Sequence, residues 1–432
     1  MSSSAETPAL SRSVRPRQFW KTLGPGLLWA AAAIGVSHLV QSTRAGADGG
    51  FSLAWVILAA LAFKYPFFEF GPRYAAATGE SLVEGYFRIG RWAVWTYLAI
   101  TLASAVVIQA AVTLFTAFIF GHVLGVQAPI WVVGGFVLFA CGLLLWIGRF
   151  NALDRTIKLV LALLGICTLI AALSTLPRAA DAVFTPWPIA DTPNIRWVFI
   201  LALVGWMPSA IDISVWSSLW TLAKDQSSGV KASVADALLD FRIGYVGTGL
   251  IAFAFLSLGA TVMYAADQRF SPEGAAFSLQ LVDLYSATLG AWARPVILVA
   301  VLTTMFSTTL TVMDGFPRAI SRSIRTLQHG IEEWPAREQA GRSYWVVLVS
   351  LSVLTVLVFA FFVGNLTTMV DFATLVAFVT APVLGFLNLR AVTLPNVPEG
   401  ARPGPALRAF SQTGLVLMGS IAFFFVVSLL RY

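Results

Sequence analysis

Very little of this chain is charged. Asp, Glu, Lys and Arg make up 11% of its 432 residues, against about 25% in a soluble domain, and its mean hydropathy is +0.80. That balance excludes a soluble globular protein. Cysteine is scarcer still: Cys141 and Cys167 both sit in apolar stretches and offer neither a disulfide framework nor a thiolate metal cluster. The chain has no HExxH helix, no Gly-x-Ser-x-Gly elbow and no nucleotide-binding loop, so an enzyme is not expected. The net charge of +7 is spread between apolar runs, a distribution that fits membrane orientation better than nucleic acid.

Apolar sequence is what the chain has in quantity. A membrane helix needs roughly 20 apolar residues, and eleven stretches qualify: 24–46, 50–75, 92–121, 128–148, 154–175, 195–222, 242–265, 288–313, 344–363, 366–389 and 409–430. Residues 271–289 are less apolar and read as a short external helix. Residues 1–19 read as a disordered basic cytoplasmic tail, 20–390 as a ten-helix core and 391–432 as a linker with an eleventh helix. The first apolar run is followed by many more, so it is a span rather than a secretion signal. With the N-terminus inside, the cytoplasmic segments hold twenty-one of the twenty-eight basic residues. Arg178, Arg196, Arg269, Arg294 and Arg431 fall outside, and Arg44 and Lys64 lie within spans. The expectation is a multi-pass inner-membrane protein with a cytoplasmic N-terminus and an external C-terminus.

Two spans carry polar breaks. Span one runs Gly24 to Gly46 and is interrupted at Gly35-Val36-Ser37-His38; span six contains Gly205-Trp206-Met207-Pro208-Ser209-Ala210-Ile211-Asp212. Proline removes a backbone donor, and hydrocarbon can hydrogen-bond neither a hydroxyl nor an imidazole. Such breaks survive only where protein or a water-filled cavity surrounds them. Paired discontinuous helices, five spans apart, predict two inverted five-helix repeats, about 20–176 and 194–390, with the substrate between them.

Gly24-Pro25-Gly26 at the start of the first span, Met207-Pro208 in the sixth and Met313-Asp314-Gly315-Phe316 in the eighth together resemble the Nramp family of proton-coupled divalent-metal transporters. Gly24-Pro25-Gly26, Gly50-Phe51 and Trp55-Val56-Ile57-Leu58 match the start of the family pattern. Ala77-Thr78-Gly79 with Leu82 and Glu84 is similar to the end of its second helix. Met207-Pro208 is similar to the Met-Pro of its sixth, and Ser307-Thr308-Thr309-Leu310-Thr311 with Met313-Asp314-Gly315-Phe316 to its eighth. The resemblance implies an all-α membrane fold of the LeuT type. It also implies alternating access, with spans one, two, six and seven rocking against three, four, eight and nine.

The departures fall on the chemistry. Where the family's first break reads Asp-Pro-Gly-Asn, this chain has Gly35-Val36-Ser37-His38, which removes both side-chain oxygen ligands. Ser209 replaces the His after Met-Pro, and span three, from Trp92 to Gly121, has no acidic residue for proton transfer. The expected substrate site is Gly35, Ser37, His38, Met207, Ser209 and Asp212, with His38, Arg44, Asp212, Thr308 and Thr309 on the ion pathway or in coupling. No metal site is expected, and Met207 would be a ligand only for a transported metal. Hydroxyls, an imidazole and two half-helix N-termini suit a small anion such as bicarbonate. The alternative is a divalent cation (Mn, Fe or Mg) with proton coupling. Asp212, an acid in mid-span, is the main threat to the anion. No cofactor is expected, only a coupling ion, Na+ or H+, in a monomer surrounded by lipid. The topology has a direct check: a cysteine placed between Arg325 and Arg342 should label from the cytoplasmic side only, and external labelling would overturn the orientation.

Overall fold

The computed structural model describes residues 24–147, 150–177, 197–331, 341–362 and 365–430, and over these it is helical with no strand. The tail read over 1–19 lies outside the described residues. The first break divides a short helix α1 (Pro25–Ala33) from a π-helical stretch (Ser37–Ser42) that runs on into α2 (Thr43–Gly49). There follow α3 (Ala54–Thr78), α4 (Leu82–Ile89), α5 (Arg91–Leu124), α6 (Ile130–Ile147) and α7 (Phe150–Thr175). The second break separates α8 (Trp197–Trp206) from α9 (Ile213–Ser228). Then come α10 (Val234–Leu258, continued by a π turn at Gly259–Met263), α11 (Gly274–Leu289), α12 (Ala293–His329), α13 (Arg342–Phe362), α14 (Leu366–Val392) and α15 (Pro405–Leu430). Among the described residues, eight helices are long and apolar enough to cross a membrane. The two interrupted pairs fall where spans one and six were read.

Three sequence boundaries shift for identifiable reasons. Leu82 and Glu84 do not end the second span; they open the separate helix α4. Ser81 and Glu84 form a capping box there, with the Ser81 N–H donating to Glu84 Oε2 at 2.7 Å. The eighth span does not stop near 313. It continues as α12 to His329 because its charges are paired: Arg318 donates to Asp314 one turn earlier at 2.9 Å, and Arg322 to Glu84 at 2.5 Å. The second span begins at Ala54, after a turn through Gly50 at φ 58.

Packing relates the two halves reciprocally: α1 lies along α10 and α9 along α3, while α12 and α5 cross at the centre. Trp29 fixes α1. Its ring centroid lies 5.3 Å from Phe68 on α3, and 5.4 and 5.3 Å from Phe241 and Tyr245 on α10. The first N–H groups of α1, orphaned by helix geometry, are met by Asp240 of α10, which accepts from Gly26 at 2.7 Å. Outer faces are apolar: Trp146, Phe424 and Leu430 are exposed, as a lipid surround requires.

Close backbone approach sets the distance between α2 and α10. A Cβ on Gly46 would lie 2.0 Å from the Leu256 carbonyl oxygen, and one on Gly259 would lie 2.1 Å from that of Thr43. Small residues at such crossings let helices meet. Gly46→Ala and Gly259→Ala should each cost about 1–3 kcal/mol, seen as a lower thermal midpoint of the detergent-solubilised protein. Unchanged midpoints would mean that the contact is not rigid.

Candidate functional site

The first break is built from unpaired backbone. At Ile34, φ −78 and ψ 82 leave the helix, and the last carbonyls of α1 lose their partners in the chain ahead. Side chains replace them. Ser37 Oγ donates to the Ala33 carbonyl at 2.6 Å, and Thr308 of α12 lies 3.4 and 3.5 Å from the carbonyls of Ala31 and Ile34. Gly35 makes this approach possible: a Cβ there would sit 2.7 Å from Thr308 Cγ2. Its contribution is therefore space for Thr308.

His38 points out of the break. It is fully buried, with Nε2 3.0 Å from the Thr248 carbonyl on α10 and Nδ1 2.7 Å from Ser37 Oγ. A carbonyl only accepts, so Nε2 carries a proton. The imidazole ties the break to α10 and is absent from the cavity lining.

The second break follows α8. Its peptide Met207–Pro208 is cis, and α9 starts after Asp212, whose side chain makes no cap hydrogen bond. The open carbonyls at the end of α8 are taken by Lys64, reaching across from α3. Its Nζ donates to Val204, Gly205 and Ser209 carbonyls at 3.0, 2.9 and 2.6 Å. Lys64 also interacts electrostatically with Asp212.

Between the breaks lies a cavity of about 40 Å³. Its polar lining is Ser37, Ser209, Asp212 and Thr308; Ile108 and Val112 of α5, Trp206 and Trp216 close it with apolar surface. A water needs roughly 10–15 Å³ on this measure, so the space suits a small ion with little hydration. Asp212 is 5% exposed, and its Oδ2 has no hydrogen-bond partner among the described residues.

Four predicted residues thus meet at one cavity: Ser37, Ser209, Asp212 and Thr308. The others lie elsewhere. Met207 is fully buried and outside the lining. Thr309 Oγ1 lies 2.7 Å from Thr116 Oγ1 and joins α12 to α5. Arg44 pairs at 2.8 Å with Asp371 of α14, which also accepts from Gln41, and its guanidinium lies over the Phe199 ring at 4.6 Å. Neither Asp212 nor Glu69 is paired with Arg44; Glu69 is held by Arg73 and Tyr65. Nor do Ser37 and Ser209 cap the second half-helices. Val36 and Asp212 occupy those positions, and neither makes a side-chain cap bond. Asp371 was not singled out from the sequence, although an acid within an apolar run is itself a signal.

Two facing interrupted helices, with a buried acid and an ion-sized cavity between them, define a secondary transporter of the paired broken-helix class. Residues 26–428 match the family model described as Natural resistance-associated macrophage protein-like, and the chain belongs to this Nramp family. An uncharacterized protein of Pasteurella multocida is 37% identical over 379 residues, covering 86% of this chain and 84% of that protein. The metal transporter Nramp6 of Arabidopsis thaliana is 22% identical over 323 residues, covering 69% and 59%. The fold matches the manganese transporter of Eremococcus coleocola, solved with an aromatic bis-isothiourea substituted compound, at TM-score 0.69 and 13% identity over 98% of this chain and 89% of that one. MhsT in complex with L-phenylalanine matches at TM-score 0.63 and 13% identity, covering 93% and 98%. The fold is therefore the LeuT type.

The site yields one stability test. His38→Ala removes a buried ring and orphans the Thr248 carbonyl, which should cost about 2–4 kcal/mol. A thermal midpoint equal to wild type would show that the His38 bridge does not hold the break.

Proposed function

We propose that this protein is a secondary transporter that moves a small inorganic cation by alternating access through the cavity between the two breaks. The carrying observation is the buried Asp212 carboxylate, whose Oδ2 has no partner among the described residues and which lines the cavity. A buried carboxylate oxygen without a donor is costly unless something compensates it in place, beyond the longer-range field of Lys64. A cation or a proton arriving in the cavity does so. The remaining polar atoms agree with this sign. The end of α1 presents carbonyls, the negative pole of a helix, and the Ser37 hydroxyl proton is already used within the break, between the Ala33 carbonyl and His38 Nδ1.

Bicarbonate, the ion expected from the sequence, fits this geometry less well. Its donors would have been Ser37, His38 and the N-terminus of α9. Ser37 and His38 are committed to backbone carbonyls, and Asp212 occupies the N-terminal position of α9. Lys64 would attract an anion, but its three N–H bonds are spent on carbonyls. The metal transported by the relatives named above supports a cation. A transition metal nevertheless finds a poor donor set: among the described residues no three His, Cys, Asp or Glu come together, and Met207 lies outside the lining. Binding of Mn²⁺ should be weak. We also read the membrane as the inner membrane, with the N-terminus cytoplasmic.

The test is uptake of labelled Mn²⁺, Mg²⁺ and bicarbonate into proteoliposomes, with and without Na⁺ or proton gradients. Asp212→Asn should lower cation uptake by about tenfold or more, the loss of a buried charge–charge contact, with the variant still folded by size exclusion. Ser209→Ala should reduce it only a few-fold, consistent with one hydrogen bond. Bicarbonate uptake that survives Asp212→Asn, without any cation response, would overturn the cation.

A further inference from the structure

We propose that Lys64 is a tethered cation: its ammonium fills a monovalent-cation cradle formed by the carbonyls at the end of α8, and it sets the charge that the neighbouring transport site accepts. The second statement rests on the cation reading above; the first does not.

The geometry is that of ion coordination. Three carbonyl oxygens, from Val204, Gly205 and Ser209, converge on one nitrogen at 2.6–3.0 Å. An amino group can satisfy three acceptors only as an ammonium, with all three N–H bonds donated. Two of the three, Val204 and Gly205, are open because helix α8 stops: its last carbonyls have no N–H ahead of them and form the negative end of the helix dipole, while Ser209 lies in the break three residues past its end. Carbonyl rings of this kind replace the hydration shell of alkali ions in channels. Here the cation is covalently attached through a side chain on α3 that is 1% exposed, against the Phe68 ring 5.6 Å from Nζ.

The attachment has a consequence for charge. Lys64 Nζ is bonded to the carbonyl of Ser209, itself a lining residue three positions before Asp212, which lines the same cavity. A fixed positive charge that never leaves opposes each incoming cation in proportion to its valence, so a divalent ion is disfavoured twice as strongly as a monovalent one. Lys64 is on this view a specificity residue acting from outside the cavity, whose lining does not include it.

The experiment uses the purified full chain in detergent, with Lys64→Ala and Lys64→Met. Alanine opens the cradle and leaves room for an ion; methionine removes the charge and fills the room. Thermal midpoints are measured in NaCl, KCl and choline chloride at equal ionic strength. Wild type gives the baseline, including any stabilisation by Na⁺ or K⁺ at the transport cavity, and Lys64→Ala should depend on the cation beyond it. Lys64→Ala should melt several degrees lower in choline and recover, saturably, in Na⁺ or K⁺. Lys64→Met should stay low in every salt. A Lys64→Ala midpoint that equals wild type in choline overturns the proposal, because water then suffices for the carbonyls. Equal recovery in choline, or recovery of Lys64→Met, overturns it as a general salt effect. Failure of Lys64→Ala to fold in any salt overturns it too, since a mobile ion was to replace the ammonium. For selectivity, Mn²⁺ binding by calorimetry in choline should tighten on the order of tenfold in Lys64→Ala, the size of one charge interaction in partly hydrated protein. If neither protein binds or transports any cation, the transport reading fails while the salt dependence still decides the cradle.

Discussion

A helix that stops in the middle of a bilayer leaves carbonyls that lipid cannot satisfy, and the centre of this molecule is arranged around that problem. At the end of α1 it is met by hydroxyls, from Ser37 within the break and Thr308 on α12. At the end of α8 it is met by the ammonium of Lys64 on α3. The two solutions differ in charge, and the site inherits the difference. A hydroxyl neutralises nothing, so the α1 end stays electronegative. Lys64 brings a positive charge to the Ser209 carbonyl, three residues before the Asp212 carboxylate.

Other buried charges are handled as pairs that join elements distant in sequence. Arg322 on α12 reaches Glu84 on α4, Asp314 receives both Arg318 and the Tyr344 hydroxyl of α13, and Arg44 on α2 meets Asp371 on α14. Of these, only Arg44–Asp371 involves a span expected to rock, span one; α12 and α13 belong to the spans it would rock against. Breaking a buried pair leaves two desolvated charges and is costly, whereas exchanging partners or admitting water is not. The partly exposed pair is Arg44–Asp371, at 14% and 25% side-chain exposure, while Arg322–Glu84 is at 3% and 1%.

The architecture was legible in the sequence because it rests on long signals. Apolar runs of about 20 residues place the spans, and Gly35 and Pro208 interrupt two of them visibly. The site was legible only in part. Ser37, Ser209, Asp212 and Thr308 could be placed near the breaks from their positions along the chain, and they share the cavity. Which way a side chain turns depends on partners hundreds of residues away. His38 is drawn out of the break by the Thr248 carbonyl, 210 residues on. Lys64 and the carbonyls it binds are about 140 residues apart, and its spacing from Glu69 on the same helix gave no hint of them. Arg44 ignores the acids near it in sequence for Asp371, 327 residues on.

These orientations bear on how the family's break came to be altered. Where Nramp proteins place two side-chain oxygens in the first break, this chain has Gly35 and His38. Gly35 opens room for Thr308 to approach the backbone, and His38 bonds across to α10. Both substitutions convert the first break from a ligand-presenting segment into a packed one. The second break then carries the whole electrostatic burden, through one carboxylate and one ammonium. A site with one net-neutral pair in a cavity of about 40 Å³ can hold a small ion without a cluster of carboxylates. On the cation reading proposed above, its hold on a doubly charged ion should be weak, because the desolvation of two charges is met by a single acid within the field of Lys64.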